Sequence, residues 1–197
     1  MSRAYALIFD GYADWELGHV LAELRRFGQI EVVTVGFSDQ VVVSMGGLRV
    51  VPDLSIPRVD LDDVRIFILP GGHLWEGTYP RTEIEPLLHR LEQAGIPIAA
   101  ICAATTAVAR AGLLGDRAHT SNSLGYLSKM VPGYSGGDNY VDSLATRDQR
   151  IITASGLGSI EFTMEILEEL EVATPELRSI WHQAFKHGRY PESVDHG

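Results

Sequence analysis

The chain has 197 residues, of which 45% are hydrophobic and 21% are charged, and we expect residues 1–197 to form one globular domain with a substantial core. The formal net charge of −10 argues against nucleic acid and anionic membranes as main partners, because both are themselves negatively charged. A single cysteine excludes an internal disulfide and suits a reducing compartment. With no apolar stretch of membrane-spanning length and no signal peptide, we expect a cytoplasmic protein.

Hydrophobic periodicity predicts strands that alternate with helices along the chain. The predicted strands are short apolar runs at residues 4–9, 31–37, a hairpin within 41–51, 65–69, 96–101, 117–121, 144–146 and 150–154. The predicted helices carry apolar residues on one face and span residues 15–27, 83–94, 103–111, 159–170 and 175–187. Asp14 and Ser159 are candidate helix caps, and residues 188–197 are expected to be frayed. The alternation predicts an α/β fold with a mainly parallel sheet covered by helices on both faces.

Cys102 is the residue of this chain whose side chain and position most clearly suit a chemical role. It lies between the predicted strand at 96–101 and the predicted helix at 103–111, with alanines on both sides. This arrangement resembles the nucleophile elbow of hydrolases, in which small neighbours leave the nucleophile accessible. A helix N-terminus favours the thiolate, so we expect a lowered pKa for the thiol. The alternative is a buried structural cysteine.

Three predicted strands end in segments with site-like sequence, namely residues 10–16, 70–75 and 102–106. If the strands are neighbours, these segments converge at one edge of the sheet. We expect Glu16 to lie partly buried beside Cys102, with a raised pKa, and to donate or accept a proton. The alternative is that the Glu16 carboxylate only complements the dipole of its helix.

The backbone N–H groups of Gly71, Gly72 and Ala103 are candidates for an oxyanion and substrate site. A simple turn after a strand is the alternative for the glycine pair. His119 and His73 are the histidines best placed to act as acid–base partners of the thiol, although a lone histidine is more often structural. Histidine and cysteine spacing predicts no metal site, and no phosphate-binding or dinucleotide-binding motif occurs, so we expect no cofactor.

Several segments together resemble the ThiJ/PfpI superfamily, a branch of the class I glutamine amidotransferase-like fold that includes the human parkinsonism-associated protein. The most specific segments are FILPGGHLWEG, IPIAAICAATTAVARAGLLGDRAHTSN and ITASGLGSIEFT. The resemblance covers nearly the whole chain and implies a flavodoxin-like three-layer sandwich, usually a homodimer. It implies that the reactive family cysteine is Cys102, that the glutamate bonded to it is Glu16, and that the backbone donors are Gly72 and Ala103.

The chain departs from this family pattern at two positions. Protease-like and chaperone-like members often have histidine directly after the cysteine, where this chain has Ala103. In many glyoxalase-like and deglycase-like members, histidine ends the strand after the cysteine helix. Here Asn122 stands at that position and His119 lies three residues earlier. The DWE and HTSN segments resemble those of bacterial members described as amidotransferase-like proteins or intracellular peptidases. We do not expect this chain to transfer the amide group of glutamine.

Two hypotheses of function follow from these residues. In the first, the Cys102 thiolate of an enzyme attacks a small electrophilic substrate, with glyoxal-type aldehydes ahead of amides, peptides and isonitriles, while Glu16 moves the proton. In the second, the protein is a non-catalytic redox sensor or stress-protective protein in which Cys102 is oxidised reversibly.

Overall fold

The computed structural model describes residues 3–189. The strands in this part of the chain are β1 (Arg3–Leu7), β2 (Val32–Gly36), β3 (Val42–Val43), β4 (Arg49–Val50), β5 (Leu54–Ser55), β6 (Val64–Leu69), β7 (Ile98–Ile101), β8 (Ala145–Asp148) and β9 (Ile151–Ala154). The α-helices are α1 (Asp14–Arg26), α2 (Arg81–Gln93), α3 (Thr105–Arg110), α4 (Leu124–Met130), α5 (Ser159–Glu169) and α6 (Pro175–His187). Within residues 3–189, no helix is both long and apolar enough to cross a lipid bilayer.

Seven strands form one sheet in the order β5-β2-β1-β6-β7-β9-β8. Only β8 is antiparallel to its neighbour within the described part of this sheet. The central strands β1, β6, β7 and β9 are buried almost throughout, since their apolar side chains face helices on both sides. The predicted mainly parallel sheet is therefore confirmed.

Helices form two layers around this sheet. Helices α1, α5 and α6 pack together in one layer, and α2, α3 and α4 form the other. Helix α6 is joined to α1 by a buried hydrogen bond in which Trp181 Nε1 donates to Glu23 Oε1 at 2.8 Å. The arrangement is the flavodoxin-like three-layer α/β sandwich that the resemblance implied.

The segment between α3 and β8 differs from its prediction. Residues 117–121 do not form the predicted strand: within residues 3–189, their only ladder contact is an isolated bridge between His119 and Tyr140. The backbone N–H of Thr120 instead donates to the side chain of Thr153 at 2.8 Å. Helix α4 follows, although the sequence did not predict it, and it is capped by Ser123, which accepts the N–H of Tyr126.

Neither predicted helix cap is present. Ala13 and Gly158 occupy the N-cap positions of α1 and α5. The carboxylate of Asp14 instead accepts a hydrogen bond from the N–H of Gly46 at 2.6 Å, and this bond connects α1 to the turn between β3 and β4. Strands β3 and β4 pair antiparallel, so the predicted hairpin is confirmed. The predicted frayed tail begins at Gly188, and its residues 190–197 lie outside the described part of the chain.

The three segments singled out in the sequence meet at one edge of the sheet. Strands β1, β6 and β7 are consecutive neighbours in the strand order, and all three run parallel. The segments 10–16, 70–75 and 102–106 follow the carboxyl ends of these strands. The predicted convergence is therefore confirmed, and this edge holds the candidate site.

Candidate active site

Cys102 lies on a tight turn between β7 and α3. Its φ of +59° is in the left-handed region, which costs a residue with a side chain of order 1–3 kcal/mol. The turn is held by a hydrogen bond from Thr105 Oγ1 to the carbonyl oxygen of Cys102 at 2.7 Å. The small side chains of Ala103 and Ala104 are buried directly behind it. The geometry is that of an elbow, and the thiol is partly exposed.

Glu16 lies in the first turns of α1 and is only 1% exposed. Its Oε2 accepts the backbone N–H of Gly71 at 2.5 Å. Its Oε1 is buried with no hydrogen-bond partner among residues 3–189, and it faces the same small space beside Gly156 as the Cys102 sulfur. Burial raises the pKa of Glu16 to about 7, against the lowering effect of its bonds with Gly71 and Cys102. The structure therefore brings together the two side chains predicted to work as a pair.

Two glycines leave room for this pair. A Cβ on Gly71 would lie 2.7 Å from the Cβ of Cys102 and 2.8 Å from Oε2 of Glu16. A Cβ on Gly156 would lie 2.9 Å from the Cys102 sulfur and 3.4 Å from Oε1 of Glu16. Side chains at either position would displace the sulfur or the carboxylate. Sequence reasoning missed Gly156, although it follows the strand next to β7 within the quoted ITASGLGSIEFT segment.

Asn122 contacts the thiol from a third direction. Its Nδ2 donates to the Cys102 sulfur at 3.4 Å, and its Oδ1 accepts the N–H of Gly156 at 2.9 Å. The second bond fixes the orientation of the amide, so that its N–H group faces the sulfur. Asn122 thus supplies a neutral hydrogen-bond donor. By the family resemblance, many glyoxalase-like and deglycase-like members have histidine at this position.

The thiol does not have the lowered pKa that its place before a helix predicted. Burial and the charge of Glu16 raise the pKa of Cys102 to about 11, although the Asn122 amide and the N–H of Ala103 lower it. The prediction of a lowered pKa rested mainly on the helix N-terminus, but α3 begins three residues after the cysteine. With Glu16 ionised, the thiol therefore keeps its proton at neutral pH.

The three predicted backbone donors have different surroundings. The N–H of Gly71 is engaged by Glu16, and the N–H of Ala103 lies against the Cys102 sulfur. Gly72 is buried, but no hydrogen bond within residues 3–189 uses its N–H. Of the three groups, Gly72 and Ala103 therefore suit an oxyanion better than Gly71 does.

Neither predicted histidine contacts the thiol. His119 is buried, with Nδ1 at 2.7 Å from the carbonyl of Arg117 and Nε2 bonded to the hydroxyl of Tyr134. Burial lowers the pKa of His119. The side chain of His73 is 91% exposed and lies 3.3 Å from Glu76. An acid–base role for either histidine has no geometric support.

Comparison with known proteins places this site in a family. A protein-family model described as the DJ-1/PfpI family matches residues 2–169. The chain belongs to the DJ-1/PfpI family. A crystal structure of a DJ-1 superfamily protein, Atu0886 from Agrobacterium tumefaciens, is similar with a TM-score of 0.88 and 34% identity, over 96% of this chain and all of that one.

Curated relatives carry different activities in their names. YoaZ of Bacillus subtilis, described as an uncharacterized protease, is 36% identical over 93% of this chain and 90% of its own length. DJR-1.2 of Caenorhabditis elegans, described as a glutathione-independent glyoxalase, is 31% identical over 73% of this chain and 75% of its own. Family membership agrees with a cysteine-dependent enzyme or a DJ-1-like protein, and it leaves the reaction to be argued from the site.

Proposed function

We propose that this protein is a cysteine-dependent enzyme that acts on small carbonyl electrophiles, with glyoxal-type aldehydes first and amide or peptide bonds second. Cys102 is the nucleophile, and Glu16 donates and accepts the proton. The observation that carries the proposal is the buried Glu16 carboxyl beside the thiol, with a pKa of about 7. Such a group can both take and return a proton near neutral pH.

The pair can add a thiol to an aldehyde without a separate base. The ionised carboxylate of Glu16 takes the thiol proton as the sulfur bonds to the aldehyde carbon, and the carbonyl oxygen then takes up that proton. The N–H groups of Gly72 and Ala103, with the Asn122 amide, support the negative charge while it forms. These steps give a hemithioacetal on Cys102.

For a 2-oxoaldehyde, the same carboxyl group can complete the reaction. Glu16 removes the hydrogen of the former aldehyde carbon as a proton and returns a proton to the neighbouring keto carbon, so that the first carbon is oxidised to a thioester and the second is reduced to an alcohol. Water then breaks the carbon–sulfur bond, releases a 2-hydroxy acid and restores the thiol. The reaction consumes one water and needs no external oxidant or reductant.

The test is turnover of a panel of 2-oxoaldehydes, amides and isonitriles by the wild-type protein and by Cys102→Ala and Glu16→Gln. We expect 2-oxoaldehydes to be converted to 2-hydroxy acids by the wild type, and conversion to be lost in Cys102→Ala. Turnover that survives in Cys102→Ala, or no turnover of any panel member, would refute the proposal. Circular dichroism of each variant controls for folding.

The redox-sensor hypothesis is less well supported by the same geometry. A thiol that keeps its proton at neutral pH reacts slowly with peroxide, because the thiolate is the species that is oxidised. Mass spectrometry after mild peroxide treatment separates the two functions. Selective oxidation of Cys102 without turnover on the panel would favour sensing.

We also propose that two copies associate through an apolar patch beside the site. Trp15, Met45 and Leu48 are 52%, 45% and 60% exposed and line one groove with Asp14 and Gly46. An exposed cluster of large apolar side chains is typical of an interface.

Because the chemistry needs a free thiol, the proposal places the protein in a reducing compartment such as the cytoplasm.

A further inference from the structure

A cavity of about 390 Å³ lies between the loop that follows α3 and the loop that follows α4. Residues 111–115 form one wall, residues 131–136 form the other, and the side chains of Arg81 and Arg110 complete the lining. Its described lining residues include none of the side chains that contact the thiol. Ligand pockets in proteins typically measure about 300–1,000 Å³, so this cavity has room for a small molecule.

Hydrogen bonds hold both walls of the cavity in place. Nδ2 of Asn139 donates to the carbonyl of Gly115 at 2.9 Å, and the hydroxyl of Tyr134 is bonded to Nε2 of the buried His119. The walls touch at Gly136, where a Cβ would lie 2.5 Å from a backbone oxygen of the opposite wall. The cavity is therefore preformed, which lowers the entropic cost of binding a ligand.

The charged side chains that line the cavity are cationic. The guanidinium of Arg110 donates to the carbonyls of Trp75 and Met130 at 3.0 and 2.9 Å. Within residues 3–189 all of its hydrogen bonds go to uncharged oxygens, and its Nε has no partner, so its charge is not paired. Arg81 donates to Glu85 at 2.7 Å, and the charge of this carboxylate also acts on Arg110. Two guanidinium groups thus share one carboxylate, and no acidic side chain of the described residues lines the cavity, so its net charge is positive.

Uncharged donors lie beside these cations. The side chain of Ser135 belongs to an exposed residue, and its hydroxyl makes no hydrogen bond within residues 3–189. In the same part of the chain, the backbone N–H groups of Gly115, Ser135 and Gly136 are unpaired. A Cβ on Gly115 would lie 3.9 Å from Oγ of Ser135, so the donors of the two walls are close together. Guanidinium, hydroxyl and backbone N–H groups are the donors that bind phosphate and carboxylate oxygens.

We propose that this cavity binds a small molecule through a phosphate or carboxylate group, at a site separate from the thiol. Arg110 supplies the charge, and Ser135 with the neighbouring backbone N–H groups supplies neutral hydrogen bonds. The formal net charge of the chain is −10, so a positive cavity is a local exception that concentrates small anions there. This binding does not depend on the reaction proposed for Cys102.

The test measures binding of inorganic phosphate and, separately, of citrate by isothermal titration calorimetry at constant ionic strength. We expect the wild type to bind at least one of them with one-to-one stoichiometry and a Kd below about 1 mM. Binding of phosphate alone assigns the site to a phosphate group, and binding of citrate alone assigns it to carboxylates. Ser135→Asp adds a negative charge to the cavity and should weaken binding at least about tenfold. Ser135→Asn has nearly the same size without the charge and should change the Kd by less than about threefold.

Two controls locate the binding. Protein alkylated at Cys102 with iodoacetamide should keep the wild-type Kd, and a loss of binding would place the anion at the thiol and overturn the inference. Arg58→Gln removes an arginine whose side chain is 65% exposed and which does not line the cavity, and it should also leave the Kd unchanged. A wild type that binds neither anion, or a Kd in Ser135→Asp equal to that in Ser135→Asn, would overturn the inference. Circular dichroism confirms that each variant is folded.

Discussion

Glu16 and Cys102 share one proton over most of the neutral and alkaline range. The raised pKa of Glu16, about 7, and that of the thiol, about 11, define the pH interval in which only one of the two is protonated. Within that interval the single proton can lie on the Glu16 carboxyl, which would then donate to the thiolate, or on the thiol, beside an ionised Glu16. The structure favours the second, because the Glu16 charge contributes to the raised pKa of the thiol.

The sign of one titration tests this assignment. Glu16→Gln removes a like charge from beside the sulfur, so the pKa of Cys102 should fall from about 11 by roughly one unit. The thiol remains above its ordinary pKa range because burial persists. The measurement is the pH dependence of iodoacetamide alkylation, or of thiolate absorbance in the ultraviolet. A rise in the pKa of Cys102 would show instead that a protonated Glu16 stabilises the thiolate.

The same substitution should change stability in a pH-dependent way. The pKa of Glu16 is about 7 in the folded protein against an ordinary value of 4.5, so the folded state binds more protons between these values and loses stability as the pH rises through them. A shift of this size corresponds to about 3 kcal/mol. Glu16→Gln should therefore be more stable than the wild type by up to about 3 kcal/mol at pH 8, and equally stable near pH 4. Urea unfolding at both pH values measures this, and equal stability at pH 8 would contradict it.

At the scale of elements, the loop between β9 and α5 leaves space for the Cys102 sulfur because its residue 156 is a glycine, which has no side chain. In Gly156→Ala the new Cβ would meet the Cys102 sulfur at 2.9 Å, while the backbone at 156 needs no left-handed conformation. The sulfur must turn away from Glu16 and Asn122, and we expect alkylation and turnover to fall at least about tenfold in a folded protein. Gly18→Ala on α1, where a Cβ meets nothing within 4 Å, is the control and should stabilise by roughly 0.5–1 kcal/mol. Wild-type reactivity in Gly156→Ala would contradict the close contact.

Elements set by local patterns were predictable, and contacts between distant segments were not. The apolar run before Cys102 and the alanines around it were enough to predict β7 and the turn that follows. Helix α4 was missed because seven residues hold too few turns for a periodic signal. The bond between Asn122 and the sulfur depends on Gly156, which is 34 residues from Asn122 in the chain. Only the order of the strands brings these three residues together.

At the scale of the whole molecule, the apolar patch beside α1 predicts association. Leu48→Lys should convert a homodimer into a monomer at micromolar concentration, because a charge in a desolvated interface is unfavourable. Light scattering measures the mass of the wild type and the variant. Val141→Lys introduces the same charge at another exposed apolar position, in the loop before β8, and should leave the mass unchanged. A wild type of monomer mass would rule out the homodimer.

The left-handed backbone at Cys102 also bears on how this protein evolves. Glycine would adopt that conformation without steric cost. Position 102 therefore keeps a residue type, cysteine, that folding alone would not select. A lineage released from selection for the thiol is therefore expected to drift towards glycine or asparagine at position 102 while the surrounding alanines and the sheet persist. Among descendants of this chain, the residue at 102 would record whether the chemistry was still needed, independently of how well the fold was preserved.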